Sequence, residues 1–538
     1  MKFNTIVFVS FENNYAPWGG LAKVMKMLPP TMSKSIKTVL ISPLFSNINR
    51  TKKSIATQKL KQTNLKDQVL YKGFKHTINL YKSTEFLDFK DYSIFLVKSD
   101  NFFLSGKNPY IDTWRFDSLI HDSYFFSKSI PIVLKLIQDD FPPPYLLNLQ
   151  DWETALVVDL MPSALPHECV LTLHNPYDEY LFNDPQERTI LQFSIPKMQG
   201  LSTVSEHFAY ELNHDVLIRD VLFQKLRGQF QTLPPIGINN GNFVKLSFPE
   251  NMSNHNEILN EKLKNRRIFN ILLKESRDLT PKWGNKINLI KGDVPIFLMF
   301  GRDAPKQKGF DVAATAIYKL LKKKRASSAY FIFAPVPSQF DLINLAYLED
   351  LCREFSNNVM AFPFRLSKGY EELQKSANYI IMPSYYEPFG AAHEGYASGT
   401  PVIGRATGGL IQQICPKNYE SLPELIQKYV GWYHNDVAKT TGYLYREDPS
   451  TETSENWKYL LSTDFSKRRP IHEPFDWRNP IFWSMVTELE IVLEQAIILY
   501  NEKNKKSYCE MVLNGLNLFK KYSWEKSAEQ YRTLLYKI

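Results

Sequence analysis

The sequence predicts two doubly wound α/β domains, and three observations predict them. Short apolar runs alternate with helical stretches nearly from end to end. One polar, basic, Asn-rich stretch, residues 251–291, interrupts that alternation near the middle. At 538 residues the chain is also longer than one ordinary core supports. Strands separated by helices pair in parallel through crossover connections, which is the doubly wound arrangement. Two such domains facing each other would place a ligand crevice at the carboxyl ends of both sheets.

In the first half, strands are expected at Thr5–Ser10, Thr38–Pro43, Tyr145–Leu149, Cys169–Leu173 and Gly200–Val204, with helices at Phe116–Gln138, Glu153–Leu160 and His207–Leu212. Gln68–Phe74, Thr77–Lys82 and Tyr92–Lys98 form a strand-rich insertion. The alternation then resumes with strands at Val294–Phe300, Ala329–Phe333, Val359–Phe362, Tyr379–Pro383 and Pro401–Gly404. Helices at Phe310–Lys324, Phe340–Phe355 and Tyr370–Ser376 separate them, and the chain from Phe482 onward is helical. The expected organisation is a first domain over 1–250, a linker over 251–290, a second domain over 291–505 and terminal helices over 506–538.

Hydrophobic residues make up 44% of the chain and aromatics 14%, which excludes a mostly disordered protein. The formal charge of +9 is spread along the sequence. Its densest part, Lys262 to Arg277, reads as a solvated helix face or linker rather than a nucleic-acid groove. Cys169, Cys352, Cys415 and Cys509 lie far apart with no metal spacing, as expected of reduced thiols in a cytoplasmic protein. The apolar start runs straight into Glu12-Asn13-Asn14, so it reads as a first buried strand and not a leader, and no later run reaches membrane-spanning length. Walker, HExxH, Gly-x-Ser-x-Gly and DxD patterns are absent, so neither a metal nor an organic cofactor is expected.

Several strand ends carry chemistry. After Tyr379–Pro383 comes Ser384-Tyr385-Tyr386-Glu387-Pro388-Phe389-Gly390, where Pro388 keeps Glu387 out of the helical region. The amides of Gly390, Ala391 and Ala392 then open a helix, forming an anion site that suits a diphosphate. An ordinary cap would read similarly. Phe300-Gly301-Arg302-Asp303 followed by Gln307-Lys308-Gly309 sets an arginine fork and a lysine point charge on one turn, suited to a departing nucleoside diphosphate. Trp18-Gly19-Gly20-Leu21 is a glycine turn that lets backbone amides approach a ligand closely. His174 and Asp151 each sit where a strand leaves the sheet, and helix capping alone would account for Asp151.

Taken in order, these stretches resemble the bacterial glycogen synthase and plant starch synthase family, glycosyltransferase family 5, over almost the whole chain. Trp18-Gly19-Gly20-Leu21 resembles the family's Lys-x-Gly-Gly-Leu loop, and Arg115-Phe116 with Phe125-Phe126-Ser127 resembles its aromatic helix. Gln150-Asp151-Trp152-Glu153-Thr154 is similar to His-Asp-Trp-His-Thr, Thr172-Leu173-His174-Asn175 to Thr-Ile-His-Asn, and Ser202-Thr203-Val204-Ser205 to Thr-Val-Ser. Gly237-Ile238-Asn239-Asn240-Gly241 resembles Gly-Ile-x-Asn-Gly. Arg302, Gln307-Lys308-Gly309, Glu387-Pro388-Phe389-Gly390 and Thr407-Gly408-Gly409-Leu410 resemble the donor-site motifs, and Ser523–Ala528 the final helix.

The resemblance implies a GT-B fold: two Rossmann-like domains across a deep cleft, with the last helix crossing back to the first. It implies a retaining hexosyltransferase (EC 2.4.1) that moves glucose from ADP- or UDP-glucose to the non-reducing end of an α-glucan, without a cofactor. In that reading Arg302 and Lys308 neutralise the leaving diphosphate and Glu387 orients the donor sugar. His174 contacts it near the reacting carbon, and Asp151 lies on the acceptor side. Gly19, Gly20, Asn240, Gly390, Ala391, Ala392, Thr407, Gly408 and Gly409 would line the donor site. Three departures stand out. Pro17 occupies the place of the family lysine, with Lys23 as a substitute, Glu153 replaces a histidine, and Glu394 follows Glu387 by six residues rather than seven. They leave open another nucleotide sugar or acceptor, as in surface-polysaccharide assembly. A non-catalytic glucan-binding relative and a pyridoxal-dependent phosphorylase of similar architecture are the further alternatives.

Overall fold

The computed structural model describes residues 2–86, 89–110, 118–250, 252, 254–291, 293–326, 328–337, 342–366, 368–463 and 478–537. Arg115-Phe116 therefore lies outside the described residues, as does Phe340. The chain forms two compact units. The first comprises Met1–Asn213, Leu222–Phe243 and Tyr522–Ile538, and the second His214–Val221 and Val244–Lys521.

The first unit is built on a nine-stranded sheet. Its strands are β1 (Thr5–Val9), β2 (Lys37–Pro43), β3 (Leu60–Tyr71), β4 (Phe74–Ser83), β5 (Tyr92–Lys98), β6 (Tyr145–Gln150), β7 (His167–Leu173), β8 (Gly200–Thr203) and β9 (Ile236–Gly237). They lie in the order β3-β4-β5-β2-β1-β6-β7-β8-β9. Every residue of β1 and β6 is buried, as a parallel strand covered on both faces requires. The insertion is an antiparallel hairpin, β3 on β4, closed by Lys72-Gly73 with φ of 48° and 81°. Positive φ at both loop residues matches the right-handed strand twist, which explains a glycine there.

The second unit carries a six-stranded parallel sheet. Its strands are β10 (Ile296–Arg302), β11 (Tyr330–Val336), β12 (Val359–Ala361), β13 (Tyr379–Met382), β14 (Val402–Arg405) and β15 (Gly442–Tyr445), in the order β12-β11-β10-β13-β14-β15. The solvated helix face expected for Lys262–Arg277 is carried by Lys264, Arg267, Lys274 and Arg277, while two other cations of the stretch turn inward. The helix His255–Glu275 buries both Lys262 and Arg266. Lys262 Nζ donates to the Ala377 carbonyl and to Thr400 Oγ1, each at 2.7 Å, and burial lowers its pKa well below the usual lysine range. The charge count of this helix is thus only a partial guide to its surface. Backbone and hydroxyl acceptors offered by its neighbours decide which cations turn inward.

After a helix at Pro480–Tyr500 and another at Lys506–Phe519, the chain returns to the first unit with Trp524–Gln530 and the turns to Tyr536. Trp524, Ala528, Tyr531, Leu535 and Tyr536 join the same core cluster as Phe8, Leu40 and Leu146. Ser523 caps the returning helix by accepting from the Lys526 amide, and Gly241 lies so close to Trp524 that a Cβ would come within 2.5 Å of its backbone nitrogen. No helix among the described residues is long and apolar enough to cross a membrane.

Candidate active site

In each unit the expected site residues collect at the carboxyl ends of three adjacent strands, except that Asn240 follows β9. In the second unit these are β10, β13 and β14, which are consecutive in the sheet. Arg302 ends β10, and Gln307-Lys308-Gly309 completes its turn into the helix Phe310–Lys322. The loop after β13 bends back onto that turn, with the Tyr385 amide donating to the Gln307 carbonyl at 2.7 Å. Lys308 Nζ thereby reaches Glu387 Oε2 at 2.5 Å, and Ser384 Oγ donates to the same oxygen at 2.9 Å. Such proximity is possible because Gly309 has φ of 64° and lies over Pro383, where a Cβ would approach the carbonyl oxygen to 2.2 Å.

The loop after β14 meets the same place. Gly409 donates to the Glu387 carbonyl at 3.0 Å, and a Cβ on Gly409 would overlap the Phe389 oxygen at 1.7 Å. Gly408 has φ of 46° and Gly390 of 90°. Among the described residues the amides of Gly390 and Ala391 have no hydrogen-bond partner, and Ala392 opens a six-residue helix. Nor does the part-buried Arg302 guanidinium make an ion pair or side-chain hydrogen bond there. The result is one largely buried carboxylate–ammonium pair beside unspent donors. This is an arrangement that presents positive charge to an anion and a carboxylate oxygen to hydroxyls.

Two residues that sequence reasoning passed over hold these loops. Arg405 Nη1 donates to the Tyr385 carbonyl at 2.5 Å and Nε to Glu447 Oε2 at 2.8 Å, both partners fully buried. Arg446 continues the network, with Nη1 donating to the Ala406 carbonyl at 2.6 Å and Nη2 to Asp215 Oδ2 at 2.8 Å. Two buried arginines hold the Glu447 carboxyl well below its usual range, although burial alone would raise it. Tyr385 adds its hydroxyl, which donates to Asp311 at 3.0 Å. The sequence signal was Arg405 standing directly before the Ala406-Thr407-Gly408-Gly409 turn.

In the first unit the corresponding strands are β1, β6 and β7, again adjacent. Asp151 follows β6 with φ of 58° and does not cap the short helix Trp152–Ala155, contrary to the simplest reading of its position. Its carboxylate turns to the β7 loop and accepts from the His174 amide at 2.6 Å and from Asn175 Nδ2 at 2.8 Å. His174 Nε2 contacts Gln150 Oε1 at 2.7 Å. Burial pushes its pKa down to about 3, so the ring is neutral at ordinary pH.

Glu12, which the sequence reading did not single out, reorganises the glycine turn. Its Oε2 accepts from the amides of Trp18 at 2.8 Å and Gly19 at 2.7 Å, and its Oε1 from the Tyr110 hydroxyl at 2.9 Å. The Gly19 amide is therefore engaged within the protein, and Gly20 starts the helix Gly20–Met32. Glu153 is buried with Oε2 unpaired among the described residues, and burial followed by the Asp151 charge raises its pKa well above the carboxylate range. Burial, with the Glu12 charge acting in the same direction, likewise raises Asp151. Asn240 follows β9, its amide donating to the Val204 carbonyl at 3.3 Å and its buried Oδ1 without a partner among the described residues. Lys23 places its ammonium over the Phe243 ring at 5.5 Å.

Two Rossmann-like sheets with polar groups gathered at the carboxyl ends of adjacent strands fit a GT-B glycosyltransferase. Residues 5–215 match the family model described as starch synthase catalytic domain, and residues 284–423 match glycosyl transferases group 1. The chain is a glycogen/starch synthase-like glycosyltransferase, a hexosyltransferase. It is 24% identical over 521 residues to a probable glycogen synthase of Methanocaldococcus jannaschii, a match covering 87% of this chain and 90% of that protein. An uncharacterized glycosyltransferase of the same organism is 31% identical over 229 residues, which span 39% of this chain and half the length of that relative. The fold agrees with starch synthase IV from Arabidopsis thaliana, solved with ADP and acarbose, at a TM-score of 0.59 and 16% identity. That alignment covers 93% of this chain and all of the other.

Proposed function

We propose that this chain transfers glucose from a nucleotide diphosphate sugar to the non-reducing end of an α-glucan, with retention at the anomeric carbon. The observation that carries this reading is the Lys308–Glu387 contact of 2.5 Å, beside the unpaired Arg302 guanidinium and the open amides of Gly390 and Ala391. Arg302, Lys308 and these amides take the diphosphate, Thr407-Gly408-Gly409 closes over it, and Glu387 accepts hydroxyls of the donor sugar. The C1–O bond to the diphosphate breaks, and the acceptor oxygen bonds to C1 on the same face. Its proton passes to a diphosphate oxygen. Written this way the reaction balances with donor and acceptor alone and calls on no cofactor or metal.

His174 and Asp151 serve the sugar and acceptor side in this reading. Positive charge preorganised where the leaving group develops negative charge supplies most of the barrier lowering. ADP- or UDP-glucose is the proposed donor, the former suggested by the ADP bound to starch synthase IV. The four cysteines are buried free thiols, and we place the reaction in the cytoplasm on that ground. Incubation with labelled ADP-glucose and UDP-glucose on a glucan primer tests the reading, with the chain products analysed for length and linkage. Elongation with neither donor, together with turnover of another nucleotide sugar, would sink the glucan assignment.

That second outcome has its own support. Pro17 stands where the family has a lysine, and Glu12 already occupies the Gly19 amide. The glycine turn thus meets its ligand with negative rather than positive charge nearby, which suits a different donor or acceptor.

A further inference from the structure

A buried chain of polar groups runs from the C-terminal segment to the ring of His174, wholly inside the first unit. Tyr536 OH accepts from Asn148 Nδ2 at 2.7 Å. Asn148 Oδ1 accepts from Gln150 Nε2 at 2.8 Å and from Thr172 Oγ1 at 3.0 Å. Gln150 Oε1 then faces His174 Nε2 at 2.7 Å. Asn148 and Gln150 share one face of β6, two residues apart, and both are fully shielded from solvent. The Asn148 backbone carbonyl lies 3.4 Å from the same Gln150 nitrogen. Two acceptors on that side fix the amide with nitrogen toward Asn148 and oxygen toward the histidine.

An oxygen acceptor at 2.7 Å requires a proton on His174 Nε2. A neutral ring with Nε2–H leaves Nδ1 as a bare acceptor, and Nδ1 has no protein partner among the described residues. We propose that Gln150, held by Asn148 and by Tyr536 of the returning C-terminal segment, is a positioning residue that fixes His174 as the Nε2–H tautomer and thereby offers Nδ1 to a hydroxyl of the bound sugar. The inference rests on the proposed function for its ligand, and on the hydrogen-bond geometry alone for the tautomer. Where the family motif has a histidine, this chain has Gln150, so the lock belongs to this chain. The low pKa of His174, about 3, is consistent with a ring that stays neutral throughout.

Ring-¹⁵N-labelled histidine in the full-length protein reports the tautomer directly, with the His174 signals assigned by their loss in His174→Gln. The expected result at neutral pH is a protonated Nε2 and a bare Nδ1. Gln150→Leu should bring in the Nδ1–H form. Gln150→Glu should raise the histidine pKa by at least about one unit through the adjacent carboxylate. Tyr536→Phe, which alters only a remote hydroxyl, should lower kcat about tenfold while donor KM stays within about twofold. An Nδ1–H wild-type ring, or a tautomer indifferent to both Gln150 variants, overturns the proposal. If Gln150→Leu does not fold, the isosteric Gln150→Glu and Tyr536→Phe carry the same decision. A correct tautomer without glycosyl transfer would sink the proposed function and leave this inference standing.

Discussion

Asp151 and Glu153 are buried carboxyls raised above their ordinary range, Asp151 to about 8, chiefly by loss of solvent. The folded state therefore keeps a proton that the unfolded chain has released, and stability is lost as pH rises through the folded value. Below about pH 6.5 the buried neutral histidines His174, His393 and His434 oppose this trend, because unfolding lets them take up protons. Between about pH 6.5 and 8 the histidines drop out, while buried Lys262, whose pKa is lowered, opposes the carboxyls because unfolding lets it take up a proton. Removing one such proton site with Asp151→Asn should shift the slope of the urea-unfolding free energy against pH upward there by up to about 1.4 kcal/mol per pH unit. In the second unit, Lys308→Ala and Glu387→Ala are each expected to lower kcat about 10²–10³-fold, the usual loss on removing one preorganised charge partner. Retention of full turnover in both variants would exclude the proposed roles.

At the level of elements, the second-unit site is three loops brought together by glycines and braced by arginines. Gly309→Ala adds a Cβ against the Pro383 carbonyl in a left-handed residue. Denaturation of that variant should show a loss of about 2–3 kcal/mol together with weaker nucleotide binding. Arg405→Met removes one of the two arginine partners of the fully buried Glu447 carboxylate and frees the Tyr385 carbonyl. A destabilisation of about 3 kcal/mol is expected, since the abandoned charge stays buried. Replacing Arg405 and Glu447 together by apolar residues should recover much of that stability without recovering nucleotide affinity. Calorimetric titration of ADP and UDP into each variant separates the two effects. Equal loss of affinity and stability in the double replacement would argue that the brace does nothing for the site.

For the molecule as a whole, the last seventeen residues matter most. The segment Tyr522–Ile538 belongs to the first unit although it is separated from it by the entire second sheet. A Cβ at Gly200 would press on Leu535 at 2.9 Å, and Trp524 donates to the Asn242 carbonyl, also at 2.9 Å. Ending the chain at Lys521 removes five apolar side chains from that core. The first unit should then become protease-sensitive and melt earlier while the second keeps its transition, which limited proteolysis and calorimetry together would reveal. A single unchanged melting transition would count against this division of the chain.

The sequence alone determined the alternation of strands and helices, the glycine turns at strand ends and the Arg302, Lys308 and Glu387 trio. These are local patterns: apolar runs that two covered faces demand, and loop residues whose backbone conformation few side chains tolerate. It also exposed the departures at Pro17 and Glu153. Tertiary structure decided the rest. Glu12 occupies the Gly19 amide, Asp151 turns to His174 instead of capping its helix, and Lys262 and Arg266 are buried. Arg405 finds Glu447 across 42 residues, and Tyr536 reaches Asn148 across 388. The physical reason is common to all of these. A charged or polar side chain takes whichever partner its burial makes compulsory, and that partner comes from strand order and chain return, which no local pattern encodes.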